Sequence, residues 1–449
     1  MSLPSRPDPV ELRGDDMDKT LGLIQAHARG WDGSLDHSLI EVDGKPAVQR
    51  TLERLLETRG LSSAQCCLAV PDEGINDAFL PVSQATGVTL FRGATNDVAL
   101  RLLQAADHFG ATRILHVMGQ HMFLLPELLE RLMAIQDEDG FDLVQAPINF
   151  ETHFTGIAVR VEALRRAREE ILDLPEEERA RLLVRPLSYI FNAPDRFRSF
   201  VLSPEALPRY TDDELRRFRG LAEQMFVGTE RSQSDAGRAF QPGNFCAQRY
   251  VHVARALSAS DVVLDAACGD GSGAERLAKH VRRVVGVDMD AQVIEKNRRE
   301  RTSPRGNLAF ERADVCRLPF PDGHFSAVVS LETIEHVEDP EAYCRELRRV
   351  LAPGGRLFCS TPQNLFGAIP INPWHLREYS VAEFRAILER HFDGVEIRGA
   401  VNGLLTDGEV GNNMIATATP RANARAEGAK GGVREPEFAP GSTGFAPPR

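Results

Sequence analysis

The twelve residues Val262-Val-Leu-Asp-Ala-Ala-Cys-Gly-Asp-Gly-Ser-Gly273 constrain the fold more than any other stretch of this chain. A short apolar run predicts a buried strand. Three alternating glycines predict a sharp turn at its carboxyl end, and Ala274-Glu-Arg-Leu-Ala-Lys-His-Val281 reads as a helix directly after it. Such a strand-turn-helix unit belongs to parallel α/β sheets, where helices carry the chain back to start the next strand. Glycine at the turn lets the backbone adopt positive φ and lie close to a ligand.

Two further strand ends extend the pattern. One finishes at Val287-Asp288, 19 residues beyond Gly269, and the next at Ala313-Asp314-Val315. A carboxylate at the first offset is placed to accept from both ribose hydroxyls of an adenosine-type cofactor. Asp314 is placed to accept from an adenine amino group. A dinucleotide site fits less well, because the turn is Cys-Gly-Asp-Gly-Ser-Gly rather than GxGxxG and sets Asp270 where two phosphates would lie.

The rest of the chain gives this unit its setting. A length of 449 residues suits two or three domains. With 65 acidic against 53 basic residues the net charge is −12, which disfavours nucleic acid as a partner held by broad phosphate contacts. No run of 18 apolar residues is present to span a membrane, and the first 16 residues lack the apolar segment of a secretory signal. Cysteines at 66, 67, 246, 268, 316, 344 and 359 are odd in number and form no CxxC pair, so neither a disulfide framework nor a zinc cluster is expected. A soluble, reduced, cytoplasmic protein is the expectation.

Before the glycine turn, strands are read at TLGLIQAHA, AQCCLAV, VTLFRG, TRILHVMG and FDLVQAP, with helices between them, which implies a mostly parallel sheet. Residues 159–219 read as helical, with charges of opposite sign at i,i+3 and i,i+4 that form a solvated face. After it, strands are expected at DVVLDAA, RVVGVDM, LAFERAD, FSAVVSLE and RLFCSTP, with a helix between successive strands. The chain divides into a flexible leader (1–19), an N-terminal domain (20–227), a linker (228–242), a C-terminal domain (243–419) and a disordered tail (420–449) rich in Ala, Gly, Pro and Arg.

The C-terminal residues resemble the class I S-adenosylmethionine-dependent methyltransferases over about residues 243–418. DAACGDGSG is similar to the family's first motif, with Ala267 where Gly is commoner. VDMD resembles the second motif, ADVCRLPF the third, FSAVVSLETIEHVEDP the fourth, and LRRVLAPGGRLFCSTP the segment beyond. The resemblance implies S-adenosyl-L-methionine as cofactor. It implies that Asp265 and the turn Ala267–Gly271, with Gly269, hold the methionine part. Asp288 and Met289 then hold the ribose and flank the adenine, with Asp314 and Val315 at the adenine edge and Leu331 on the fourth motif. NFCAQRYVHVARAL resembles the helix that covers the cofactor in many members, which makes Arg249 and Tyr250 candidates for the methionine carboxylate.

A hydroxyl acceptor needs a general base or a metal to lower its pKa. Glu332, Glu335 and His336 fall at i, i+3 and i+4 after the fourth strand, so one helix face is expected to present all three, with His375 arriving from above. ExxEH and a later His resemble the metal-binding set of small-RNA 2′-O-methyltransferases and some quinone O-methyltransferases. That resemblance implies a divalent metal on Glu332, Glu335, His336 and His375. The alternative keeps His336 as a catalytic base without metal. Trp374, Phe366 and Tyr379 are candidates for an apolar acceptor wall, or for ordinary packing.

The N-terminal half, over about residues 20–220, resembles the cytidylyltransferases of surface-polysaccharide synthesis in layout more than in chemistry. The loop ARGWDGSLDHSLIEV has Arg29 but no Lys before Lys45, and Gln120 with His121 stands where the family has a metal-binding Asp. Mg²⁺ on phosphates prefers carboxylate oxygen, so this domain is expected to be degenerate. The expected fold is therefore α/β with two doubly wound domains, an N-terminal nucleotidyltransferase-like sheet and a C-terminal Rossmann-like methyltransferase sheet. The expected function is O-methylation of a small-molecule or glycan acceptor, a sugar or glycan precursor in surface polysaccharide synthesis. The alternatives are a non-catalytic ligand-binding or regulatory module, and an RNA or quinone O-methyltransferase.

Overall fold

Strands of two to twelve residues, separated by helices and loops, build two sheets in a computed structural model that describes residues 20–29, 36–147, 150, 152–225, 245–364, 369–401, 404–406, 408–409 and 411–421. The expected leader, the linker and residues 422–449 of the tail lie outside the described residues. Pro420 is not tail: it ends a strand and pairs with Phe392.

The first sheet contains β1 (Thr20–Gln25), β4 (Cys66–Pro71), β5 (Thr89–Gly93), β6 (Arg113–Met118), β7 (Leu143–Gln145), β8 (Ile157–Arg160) and β9 (Ser199–Val201), in the order β5-β4-β1-β6-β8-β7-β9. The short pair β2 (Glu41–Val42) and β3 (Lys45–Pro46) stands apart. β1 lies parallel to both β4 and β6, so the strand order reverses between β1 and β6. The sheet is mostly parallel, as expected of this half, and β8 is the strand that runs antiparallel to its neighbours β6 and β7. Residues 159–219 are not wholly helical. Helices Val161–Leu172, Glu176–Leu183 and Pro186–Phe191 are followed by the short strand β9, which pairs parallel with β7.

Helix Asp212–Met225 closes this half. Leu215, Ala222 and Met225 are buried in the N-terminal core, and Phe218 packs edge-on against Phe154.

The second sheet contains β10 (Val262–Ala266), β11 (Arg283–Asp288), β12 (Leu308–Arg312), β13 (Phe325–Leu331), β14 (Leu351–Pro362), β15 (Phe392–Val401), β16 (Leu404–Leu405) and β17 (Asn413–Pro420), in the order β12-β11-β10-β13-β14-β17-β15-β16. The first five strands are parallel, and β10 sits at the reversal between β11 and β13. Ligands bind outside the carboxyl ends of strands at such a point. Between β12 and β13 the chain makes a loop with an Asp314–Arg317 bridge in place of the expected helix. β17 runs antiparallel between β14 and β15. Both faces of the sheet are covered by apolar side chains, among them Leu264, Val285 and Val328 on one side and Val263, Val284 and Phe358 on the other. Six described cysteines are free thiols.

Candidate active site

The carboxyl ends of β10 and β11 meet at the glycine turn. Ala267 (φ 62°), Gly269 (φ 53°) and Gly271 (φ 74°) are left-handed. This conformation brings the Cys268 N–H onto the Val287 carbonyl (2.8 Å) and the Gly271 N–H onto the Cys268 carbonyl (3.0 Å). A Cβ on Gly271 would meet Phe310 and Asn297 within 3 Å, whereas one on Gly269 would meet nothing within 4 Å. Gly271 thus serves packing, and Gly269 faces open space. Asn297 Nδ2 donates to the Gly269 carbonyl (2.7 Å), and Arg301 pairs with Asp270 (3.2 Å).

Two buried carboxylates, Asp265 and Asp288, converge here, and Asp314 stands exposed after the next strand. Asp265 is fully buried and accepts from the Tyr250 hydroxyl at 3.0 Å. Its carboxyl is pushed up to about 7, above all by burial, against the lowering effect of the Tyr250 bond and with Asp270 and Asp288 adding repulsion. Asp288, 1% exposed, accepts from the N–H groups of Gly269 (3.1 Å) and Asp290 (3.0 Å), which fix its orientation at the strand end. Met289 beside it is 66% exposed, an apolar side chain presented to solvent. Asp314 accepts from the Cys316 N–H at 2.8 Å, Val315 packs on the core, and Leu331 is buried at the end of β13.

Beyond β13 the structure departs from the expected helix. Glu332 is left-handed (φ 51°), and only a single 3₁₀ turn, Ile334–His336, follows. Glu332 therefore does not share a helix face with Glu335 and His336. Its carboxylate accepts from Ser360 Oγ (2.7 Å) and Asn413 Nδ2 (2.6 Å) and lies 3.5 Å from Arg249, which is 4% exposed. Arg249, expected at a methionine carboxylate, is thereby held by Glu332.

Glu335, His336 and His375 do come together: one ligand atom of each lies within 4.8 Å of the other two. The imidazole rings of His336 and His375 meet edge-on, 5.0 Å between centroids. Glu335 is fully buried. One carboxylate oxygen accepts from Thr361 Oγ1 (3.0 Å), and the other, Oε1, is buried with no hydrogen-bond partner. Burial and the neighbouring Glu332 raise its pKa. His336 Nδ1 bonds the Trp374 carbonyl (3.0 Å). His375 Nδ1 bonds Glu378 (2.5 Å), and its Nε2 lies 3.0 Å from Asn372 Nδ2.

Tyr379 is a core residue packed against Phe384, not an acceptor wall. Trp374 is half-buried beside His375, and Phe366 lies outside the described residues. Ser360, Thr361, Asn372, Glu378 and Asn413 were not singled out in the sequence, since their partners are distant in it or lie in an irregular loop.

The methyltransferase domain family matches residues 264–359, from β10 to the middle of β14. A Mycolicibacterium smegmatis protein named a probable S-adenosylmethionine-dependent methyltransferase is 35% identical over 185 residues, 39% of this chain and 70% of that protein. The chain belongs to the S-adenosylmethionine-dependent methyltransferases.

A similarly named methyltransferase of Mycobacterium tuberculosis is 34% identical over 34% of this chain, which spans 56% of its length. A ubiquinone biosynthesis O-methyltransferase of Coxiella burnetii is 34% identical over 24% of this chain, which spans 45% of its length. The methyltransferase's own residues suit S-adenosylmethionine. The open space at Gly269 admits a ligand against the backbone, and the buried acidic cluster complements a cofactor that carries a sulfonium and an ammonium. No helix among the described residues is long and apolar enough to cross a membrane.

Proposed function

We propose that this methyltransferase O-methylates a sugar or glycan precursor, with the acceptor hydroxyl seated over the 3₁₀ turn at the end of β13. The observation that carries the reading is the division of the sheet's carboxyl edge. Asp265, Gly269 and Asp288 stand on the β10–β11 side, and Glu335, His336 and His375 gather beyond β13.

When bound, S-adenosylmethionine supplies a methyl group on a sulfonium leaving group. Asp265 and the turn 267–271 hold the methionine part, with Arg249, steadied by Glu332, towards its carboxylate. Asp288 accepts from the ribose, and Met289, Asp314 and Val315 border the adenine. On the other side His336 takes the hydroxyl proton as the acceptor oxygen gains the methyl group. The Trp374 carbonyl fixes its tautomer, since a proton on Nδ1 leaves the basic lone pair on Nε2.

The glycan class rests on the N-terminal half, read as a degenerate nucleotidyltransferase-like domain. Its strand order reverses between β1 and β6, the position at which open α/β sheets take ligands. A phenolic, quinone-type acceptor is a second reading, favoured by the name of the Coxiella relative. A cytoplasmic setting with neither membrane nor nucleic acid as partner fits either acceptor.

A divalent metal is the alternative to His336 as base, because Nε2 cannot both bind a metal and take the proton. The partnerless buried Oε1 of Glu335, beside two imidazoles, is a donor set of one carboxylate and two histidines. Such a set suits Mn²⁺, Fe²⁺ or Zn²⁺ better than Mg²⁺. The metal would polarise the acceptor hydroxyl. His375 would have to release Asn372 to bind it.

The test incubates the full chain with methyl-labelled S-adenosylmethionine and fractionated cell material, then identifies the product by mass. Label in a glycan or nucleotide sugar supports the first reading, label in a phenol the second, and no labelled product rejects both. On the metal reading, EDTA should abolish transfer while S-adenosylhomocysteine still binds. Full activity in EDTA removes the metal and leaves His336 as a simple base.

A further inference from the structure

The loop that carries His375 is held from the other half of the molecule. Arg219, on helix Asp212–Met225, donates from Nη1 to the carbonyls of His375 (2.9 Å) and Pro370 (3.3 Å), and from Nη2 to that of Pro373 (2.8 Å). Ile371 of the same loop is buried in the N-terminal hydrophobic core with Leu215, Ala222 and Met225. Inward, the loop is bonded to the 3₁₀ turn. Leu376 N–H donates to the Glu335 carbonyl (2.8 Å), and the Trp374 carbonyl meets His336 Nδ1.

From these contacts we infer that Arg219 is a positioning residue for methyl transfer, through which the N-terminal half sets the acceptor side of the C-terminal site. This rests on the reading of Glu335, His336 and His375 as that side.

The physical case is one of supply and demand for hydrogen bonds. An irregular loop leaves carbonyls without ladder partners. A guanidinium offers five donors in a rigid fork, so a single charged group ties three carbonyls of residues 370–375 into one arrangement. Charge-assisted bonds of this kind are stronger than neutral ones. The helix bearing the fork is itself fixed by its buried face, and Gln224 near its end exchanges bonds with Asp43 (2.9 Å and 3.2 Å). Fork, loop and 3₁₀ turn are therefore joined to the N-terminal core by one continuous set of contacts. Asp265 and Asp288, in contrast, are oriented by Tyr250, Gly269 and Asp290 within the C-terminal half. Loss of the fork should thus misplace the acceptor side and spare the cofactor side. Misplacing a reacting group by about 1 Å can cost about 100-fold in rate.

The test uses full-length Arg219→Ala and Arg219→Lys. In Arg219→Ala, hydrogen exchange at Trp374–Arg377 should quicken at least tenfold while β10 and β11 stay protected, and S-adenosylhomocysteine affinity should stay within twofold of wild type. Methyl transfer to the cell fraction that wild type labels should fall at least tenfold, with Arg219→Lys between the two because it keeps the charge without the fork. Unchanged exchange in the loop, or transfer at the wild-type rate, would overturn the inference. So would an equal loss of cofactor affinity and transfer, since that marks general damage. If wild type labels no fraction, the acceptor reading fails instead, and the exchange comparison alone decides whether the fork holds the loop. Should Arg219→Ala not fold, Arg219→Lys carries the same comparison.

Discussion

At Asp265, burial and function pull in opposite directions. A carboxyl that titrates at about 7 in the folded protein, against an ordinary value of about 3.8, favours the native state only while it holds its proton. The cofactor-free protein should therefore lose stability as the pH rises from about 4 through 7. Cofactor binding should respond in the reverse sense, because the ammonium of the methionine part is attracted to the ionised form. With a free-state pKa near 7, affinity for S-adenosylhomocysteine should rise about tenfold between pH 6 and 8, measured by calorimetry. Asp265→Asn should bind more weakly and flatten that profile; an unaltered profile in the variant would assign the titration to another group. Asp288 is buried but differently placed, at the strand end with two backbone donors fixing it. Asp288→Ala should remove two charge-assisted hydrogen bonds to the ribose, each worth about 1.5–3 kcal/mol, so affinity should fall by a factor of roughly 100 or more. Equal affinity in wild type and variant would rule out the ribose assignment.

Gly269 and Gly271, the positive-φ glycines of the turn, separate the work of an element from the work of its ligand. Gly271→Ala forces a Cβ within 3 Å of Phe310 and Asn297 at φ 74°, so it should destabilise the fold, by several degrees in Tm, whether or not cofactor is present. Gly269→Ala meets no protein atom within 4 Å. It should cost only the left-handed backbone penalty of about 1–2 kcal/mol in stability, yet weaken S-adenosylhomocysteine binding by more than Gly271→Ala does. The reverse ranking in paired melting and binding curves would refute this division of roles. The glycine turn was legible in the sequence because everything it needs is local: an apolar strand, three glycines and a helix within about twenty residues. Glu332 was not legible, because its left-handed backbone is set by bonds to Ser360 and Asn413, 28 and 81 residues away. The spacing that suggested a shared helix face holds only if a helix forms, and here one 3₁₀ turn does. β15 and β17 extend the sheet beyond the five expected strands, although Val395-Glu-Ile-Arg398 alternates in and out, with Val395 and Ile397 packing on the core. The Arg219 fork, 151 to 156 residues from its acceptors, left no local trace at all.

At the scale of the whole molecule, the methyltransferase match lies in the C-terminal half, and the N-terminal half is proposed to be a sheet without nucleotidyltransferase chemistry. At the carboxyl end of β6, Gln120 offers an amide, and the His121 imidazole is engaged with the Thr155 carbonyl at 3.1 Å. Neither is the anionic oxygen that Mg²⁺ bound to a triphosphate prefers. The loop after β1 brings few cations. Arg29 lies exposed, and Lys45 holds its ammonium on Glu53 at 2.8 Å. A triphosphate brought to the reversal between β1 and β6 would therefore meet neither a metal-binding carboxylate nor a Lys that is not already paired with an acid. The last helix of the N-terminal half joins its own core through its buried face, and its Arg219 reaches the loop of His375. The full chain should accordingly release no pyrophosphate from CTP with Mg²⁺ and any sugar acid, above a no-enzyme control, in the same preparation that transfers methyl groups. Restoring an acid by His121→Asp should not rescue release, because the cationic loop would still be missing. Pyrophosphate formed by wild type at a rate proportional to enzyme would instead make this half a second catalytic centre.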